Sequence, residues 1–147
     1  MNIMKTVSIS IAAVLCLVGA TLANSEGMEK WSEHHPEASK ALGAWVKAHP
    51  QAAAKIYEWD GHHPERSQAF VTWTIDHPSE RLERYVRDHP DEPVLDEIMK
   101  NHHPAAVEFM AWSRDHAEAA RDLMAHPKGL EWAGHHLYKE LWNLETK

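Results

Sequence analysis

The sequence predicts an all-α fold of short antiparallel helices in 14-residue His-Pro repeats, packed as a compact bundle or short solenoid. The dipeptide His-Pro first occurs at His35 and recurs along the chain, so that seven of the eight prolines directly follow a histidine. Trp31, Trp45, Trp59 and Trp73 lie at intervals of 14, each four residues before a His-Pro histidine. Apolar residues within a unit recur at helical spacing, and not in the alternation that is typical of a strand.

Residues 1–23 predict a Sec-type signal peptide. Lys5 supplies a positive start, an apolar run follows from Ile9 to Val18, and small residues precede a cleavage position after Ala23. The apolar run is shorter than the roughly 20 residues that span a bilayer. Cleavage removes Lys5 and Cys16, so the net charge of −7 becomes −8 and no cysteine remains. We therefore expect a periplasmic or secreted protein without a disulfide, a thiolate metal site or c-type haem.

The length of the chain after residue 23 predicts one domain. We expect an N-terminal segment over residues 24–33 and a helical-repeat domain over residues 34–147. No second apolar run is long enough for a stable membrane span. The acidic net charge argues against a nucleic-acid partner, which usually requires a basic patch.

Each repeat unit predicts a short helix that begins at proline. Proline suits the first helical position, and the residue before it is pushed out of the helical region, so each repeat histidine marks a boundary. A helix of about ten residues is unstable alone and must pack on neighbours, with the tryptophan column in the core. His116 lacks a following proline, which favours one longer helix over 104–125. Residues 127–144 favour a C-terminal helix with these residues inward: Leu130, Trp132, Leu137, Leu141 and Trp142.

Thirteen histidines make divalent transition metal the favoured ligand, because neutral imidazole suits zinc, copper and nickel. Four His-His pairs supply the candidate ligands: His34, His35, His62, His63, His102, His103, His135 and His136. Glu58–His62 and Glu131–His135 are also spaced one helical turn apart. Nearby carboxylates are Glu33, Glu58, Asp60, Asp76, Asp88 and Asp115. In an antiparallel zigzag, one edge would hold His34, His35, His62, His63 and His89, and the other would hold His49, His77, His102 and His103.

Other interpretations stay open at this point. The repeat histidines can be helix boundaries, with the ring stacked on the preceding tryptophan and a ring nitrogen bonded to a helix-end carbonyl. The protein would then be a cofactor-free module that binds another envelope protein. Haem between helices and a pH-responsive envelope factor are further alternatives. We expect no enzyme and assign no catalytic residue, since the sequence has neither a Gly-x-Ser-x-Gly elbow nor a phosphate-binding loop.

Overall fold

The computed structural model describes residues 28–137, and its regular elements in that range are helices, which confirms the predicted all-α class. Helix α1 covers residues 28–34. The others are α2 (Pro36–Ala48), α3 (Pro50–His62), α4 (Pro64–Asp76), α5 (Leu82–Asp88), α6 (Pro93–Asn101), α7 (His103–Asp115), α8 (Ala117–Met124) and α9 (Gly129–Leu137). The predicted signal peptide, and the inward positions predicted for Leu141 and Trp142, lie outside the described residues. No helix between residues 28 and 137 combines the length and apolar character of a membrane span.

A single histidine joins consecutive helices at five of the joints in the described range, namely His35, His49, His63, His102 and His116. His49 is typical: its N–H donates to Trp45 O, and its own carbonyl accepts from Ala53 N–H, both at 2.9 Å. Its backbone has φ −132° and ψ 59°, which lies outside the helical region. One residue therefore ends a helix and begins the next, and Pro50 occupies the first helical position, where no N–H is needed.

Several helix boundaries differ from the predicted ones. After His77, His89 and His126 the next helix begins at Leu82, Pro93 and Gly129, and not at the proline that directly follows the histidine. His116 ends α7 and begins α8 with the same backbone bonds, although Ala117 follows it, so the single helix predicted over 104–125 is wrong. His102, and not His103, joins α6 to α7, and its N–H donates to Ile98 O at 2.8 Å. The interval from His102 to His116 is again 14 residues. A following proline favours this joint but is not required for it.

The second half of the described chain folds back on the first. Helix α7 packs on α2 and α4, α8 packs on α4, and α9 packs on α3 and α2. The indole N–H of Trp45 donates to Ala105 O and that of Trp112 donates to Ala38 O, both at 3.0 Å. These reciprocal bonds show that α2 and α7 run antiparallel. Of the two packings that the sequence predicts, the structure therefore has the compact bundle and not the short solenoid.

The aromatic column lies in the core, as the repeat predicts. Trp31, Trp45, Trp59 and Trp112 are buried, and Tyr85 continues the column. Burial of such large side chains is the main favourable term that offsets the ordering of short helices. Trp31 also donates to Ala119 O at 2.8 Å, so the indole ties α1 to α8 in the way that other column members tie α2 to α7.

A candidate metal-binding groove

The groove between α3, α9 and His102 at the α6–α7 joint brings together three of the predicted metal ligands. It has a volume of about 550 Å³. Its ionisable residues are Lys55, Glu58, His62, His102, Lys128, Glu131 and His135. We call it the main groove. The predicted edges are wrong here, because they placed His62 and His102 on opposite sides of the molecule.

Two Glu-x-x-x-His pairs form the facing walls of the main groove. Glu58 and His62 lie one turn apart on α3, and Glu131 and His135 lie one turn apart on α9. Side chains four residues apart share one face of a helix. Each helix therefore presents a carboxylate and an imidazole to the same groove.

Glycines allow α3 and α9 to approach closely in antiparallel orientation. A Cβ on Gly61 would lie 2.5 Å from Glu131 Oε2, and a Cβ on Gly134 would lie 2.3 Å from the Tyr57 ring. Any larger residue would force the neighbouring group to move. The absence of a side chain at Gly61 therefore sets the position of the Glu131 carboxylate against α3.

Asp60 anchors the start of α9 beside α3. Its Oδ2 accepts hydrogen bonds from the backbone N–H groups of Leu130 at 3.0 Å and Glu131 at 3.2 Å, while Oδ1 accepts from Ser67 Oγ at 2.5 Å. A carboxylate at a helix N-terminus satisfies free N–H groups and complements the helix dipole. Burial raises the pKa of Asp60, although these hydrogen bonds act in the opposite direction. The sequence places Asp60 among the carboxylates near the candidate metal ligands, whereas in the structure it caps the N-terminus of α9.

A second groove, of about 450 Å³, adjoins the main groove and shares Lys55, Glu58 and His62 with it. Its other lining residues are Trp59, His63, Pro93, Val94 and Glu97. The fourth predicted ligand, His63, therefore lies beside the main groove and not within it. The indole N–H of Trp59 is buried and has no hydrogen-bond partner among the described residues.

The other four predicted ligands lie outside both grooves. His34 is exposed at the end of α1. His35 Nε2 donates to Asp122 Oδ2 at 3.2 Å, and His103 Nε2 donates to Glu83 Oε1 at 3.1 Å. The pKa of Glu83 is lowered, first by its own backbone N–H and then by His103. His136 stacks on Trp132 with ring centroids 4.2 Å apart and lies 3.6 Å from Glu29 Oε1.

Some repeat histidines make the helix-boundary contacts that the alternative interpretation predicts. The Nδ1 of His77 donates to Trp73 O at 2.9 Å, and the Nδ1 of His89 donates to Tyr85 O at 2.8 Å. Each imidazole also stacks on the aromatic residue that accepts its hydrogen bond, which is Trp73 for His77 and Tyr85 for His89. These two histidines are helix caps, which explains their recurrence without a ligand.

Across residues 28–137, no three His, Cys, Asp or Glu side chains are already arranged around one ion position. The candidate ligands line the same groove without converging on one point, so coordination of a metal there would require their side chains to rotate. The two lysines of the main groove, Lys55 and Lys128, were not predicted from the sequence. Lys55 Nζ lies 2.6 Å from Glu97 Oε1, and Lys128 Nζ lies 3.8 Å from Glu131 Oε2. The only sequence signal for Lys128 was its spacing of three from Glu131.

No known protein family, curated protein or solved structure matches this chain.

Proposed function

We propose that the protein is an exported, histidine-rich helical protein that binds a divalent transition metal in the main groove. Its role would be buffering, sequestration or delivery of zinc, copper or nickel in the cell envelope. The observation that carries the proposal is the common lining by His62, His102 and His135, which come from three separate parts of the chain. Two carboxylates, Glu58 and Glu131, each lie one helical turn from one of these imidazoles.

Three of the proposed ligands are accessible from solvent. His62 and His135 are exposed, and Glu58 is exposed on α3. The side-chain torsions of His62 and Glu58 can rotate at small cost, because no tight core packing holds them. Zinc takes four ligands, with imidazole nitrogens at about 2.0–2.1 Å. The two imidazoles of the facing pairs, His102 and one glutamate would complete such a set.

Calorimetric titration of the metal-free protein tests this proposal. We expect saturable uptake of zinc, nickel or copper at micromolar concentration at pH 7.5, and weaker uptake at pH 5.5, because protonated imidazole does not bind metal. The triple variant H62Q/H102Q/H135Q should bind about tenfold more weakly or worse. Thermal unfolding followed by circular dichroism confirms that the variant retains its helices.

The matched control removes three histidines outside the main groove, as H34Q/H116Q/H126Q. It lowers the histidine content equally and should retain the affinity of the unchanged protein. If both triple variants lose metal affinity equally, metal uptake depends on the number of histidines and not on their position in the main groove. The absence of saturable uptake by the unchanged protein at pH 7.5 would refute the proposal.

A cofactor-free interaction module is the second candidate, and the contacts of the repeat histidines favour it. His77 and His89 cap helices, and His35 and His49 each bond to a carboxylate from a distant helix. In this case the triple variant in the main groove would keep the protein's function. Replacement of a column tryptophan, such as Trp45, would abolish that function by destroying the fold.

A further inference from the structure

The repeat provides a two-point contact between one unit and a facing helix. The indole N–H of Trp45 donates to Ala105 O at 3.0 Å, and His49 Nε2 donates to Glu108 Oε2 at 2.5 Å, three residues further along α7. Residues three apart share one face of a helix. A Trp-x-x-x-His unit therefore binds a main-chain carbonyl and, three residues later, a carboxylate.

The preceding unit makes the same two contacts with α8. The indole N–H of Trp31 donates to Ala119 O at 2.8 Å, and His35 Nε2 donates to Asp122 Oδ2 at 3.2 Å. The segments that supply the acceptors are similar, with Ala-Ala-Val-Glu over residues 105–108 and Ala-Ala-Arg-Asp over residues 119–122. Two separate units thus bind the same acceptor pattern, Ala-Ala-x-acid.

The following unit, on α3, has the same two donors but neither acceptor. Trp59 is 4% exposed and its N–H has no hydrogen-bond partner within residues 28–137, which is costly for a buried donor. In the same range the imidazole of His63 makes no hydrogen bond, ion pair or ring contact. Both residues line the second groove. The two donors therefore lie beside a cavity, whereas those of the earlier units meet a helix.

We infer that the second groove binds a short acidic peptide, whose main-chain carbonyl accepts from Trp59 and whose carboxylate, three residues later, accepts from His63. Its volume of about 450 Å³ lies within the roughly 300–1,000 Å³ of small-ligand sites. The Ala-Ala-x-acid segments of a second copy are already bonded within that copy, so the peptide belongs to a different protein. The inference does not depend on the metal site, because neither donor belongs to the ligand set proposed for the metal.

The charges of the second groove limit the affinity. Its charged residues are Lys55, Glu58 and Glu97, and Lys55 Nζ lies 2.6 Å from Glu97 Oε1. With this pair neutral and the imidazoles uncharged, the carboxylate of Glu58 is left over and repels an acidic peptide. We therefore expect weak binding by the unchanged protein and up to about fivefold tighter binding by E58Q.

A titration with acetyl-Ala-Ala-Val-Glu-amide, followed by the indole ¹⁵N–¹H signals of the metal-free protein, tests the inference. W59F assigns the Trp59 signal. We expect a saturable shift of this signal, whereas the signals of Trp31, Trp45 and Trp112, whose N–H groups are already bonded, should move less. The glutamine analogue, acetyl-Ala-Ala-Val-Gln-amide, should bind about fivefold more weakly, because a hydrogen bond to a charged acceptor is stronger than one to a neutral acceptor.

Two variants assign the carboxylate contact to His63. H63A should lose the preference for glutamate over glutamine, and it should keep its fold because the backbone bonds of the joint remain. The matched control H116A removes a histidine from another joint, outside the second groove, and should keep the preference. Thermal unfolding followed by circular dichroism confirms that both variants retain their helices.

Three results would overturn the inference: no saturable shift of the Trp59 signal, equal affinity for the two peptides, or a preference for glutamate that survives in H63A. An affinity that is unchanged in E58Q would place the peptide outside the second groove and would overturn it as well. Because the titrations use metal-free protein, each of these results leaves the proposed metal site standing, and a failure of metal uptake leaves the peptide site standing.

Discussion

At the scale of single residues, Asp60 positions the helices around the main groove without lining the groove itself. Its carboxylate is buried and joins three helices through Ser67, Leu130 and Glu131. The residue thereby holds Glu131 and His135 opposite Glu58 and His62. The sequence shows a carboxylate close to histidines but not its burial, because two of its three partners, Leu130 and Glu131, lie 70 and 71 residues away along the chain.

The raised pKa of Asp60 predicts how stability changes with pH. The folded protein binds the Asp60 proton more tightly than the unfolded chain does, so this contribution to stability is fully present below the unfolded pKa and is lost as pH rises through the folded pKa. D60N keeps one acceptor oxygen but does not titrate. We expect the unchanged protein to lose free energy of unfolding relative to D60N as pH rises from about 4 towards neutrality. Urea denaturation of both proteins at several pH values measures this difference, and a difference that is constant or grows with pH would contradict it.

At the scale of helices, the sequence predicted most of the organisation, because the repeat itself carries the boundaries. Histidine and proline mark the joints at His35, His49 and His63, and the tryptophan four residues earlier marks the buried face. His116 keeps the tryptophan four residues before it but lacks the following proline of His35, His49 and His63, and the missing proline is the reason why the sequence predicts an uninterrupted helix there. The interval between the repeat histidines His77 and His89 is 12 residues instead of 14, which shifts the register of the repeat before α6. The boundary between α6 and α7 is therefore His102, and not His103, which precedes proline.

A proline introduced after His116 should stabilise the joint. Ala117 occupies the first position of α8, and His116 has φ −124° and ψ 47°, close to the backbone of histidines that precede proline. A117P restricts the unfolded chain without removing a helical hydrogen bond. We expect it to raise the free energy of unfolding by about 0.4–1 kcal/mol.

The matched control places proline within a helix instead. A111P, at an exposed position inside α7, should lower stability by about 3 kcal/mol or more because it breaks the hydrogen-bond ladder. Thermal and urea unfolding of both variants measure the two effects. A loss of stability in A117P as large as that in A111P would mean that the joint at His116 is not equivalent to the His-Pro joints.

At the scale of the whole molecule, the return of the chain creates the candidate site. An extended zigzag keeps His62 and His102 on opposite edges, whereas the bundle brings α6, α7 and α9 back over the first helices. The repeat pattern specifies which face of each helix is buried, but it does not specify which distant helix covers that face. The eight predicted ligands could therefore be chosen from the sequence, whereas their division into groove and non-groove histidines depends on tertiary packing.

Diffraction from crystals grown with zinc, recorded on both sides of the zinc absorption edge, tests the central claim most directly. The account predicts an anomalous peak in the main groove, about 2.0–2.1 Å from ring nitrogens of at least two among His62, His102 and His135. Zinc peaks found only at histidines outside the groove, such as His34, or a main groove without zinc in crystals that bind it elsewhere, would contradict the account.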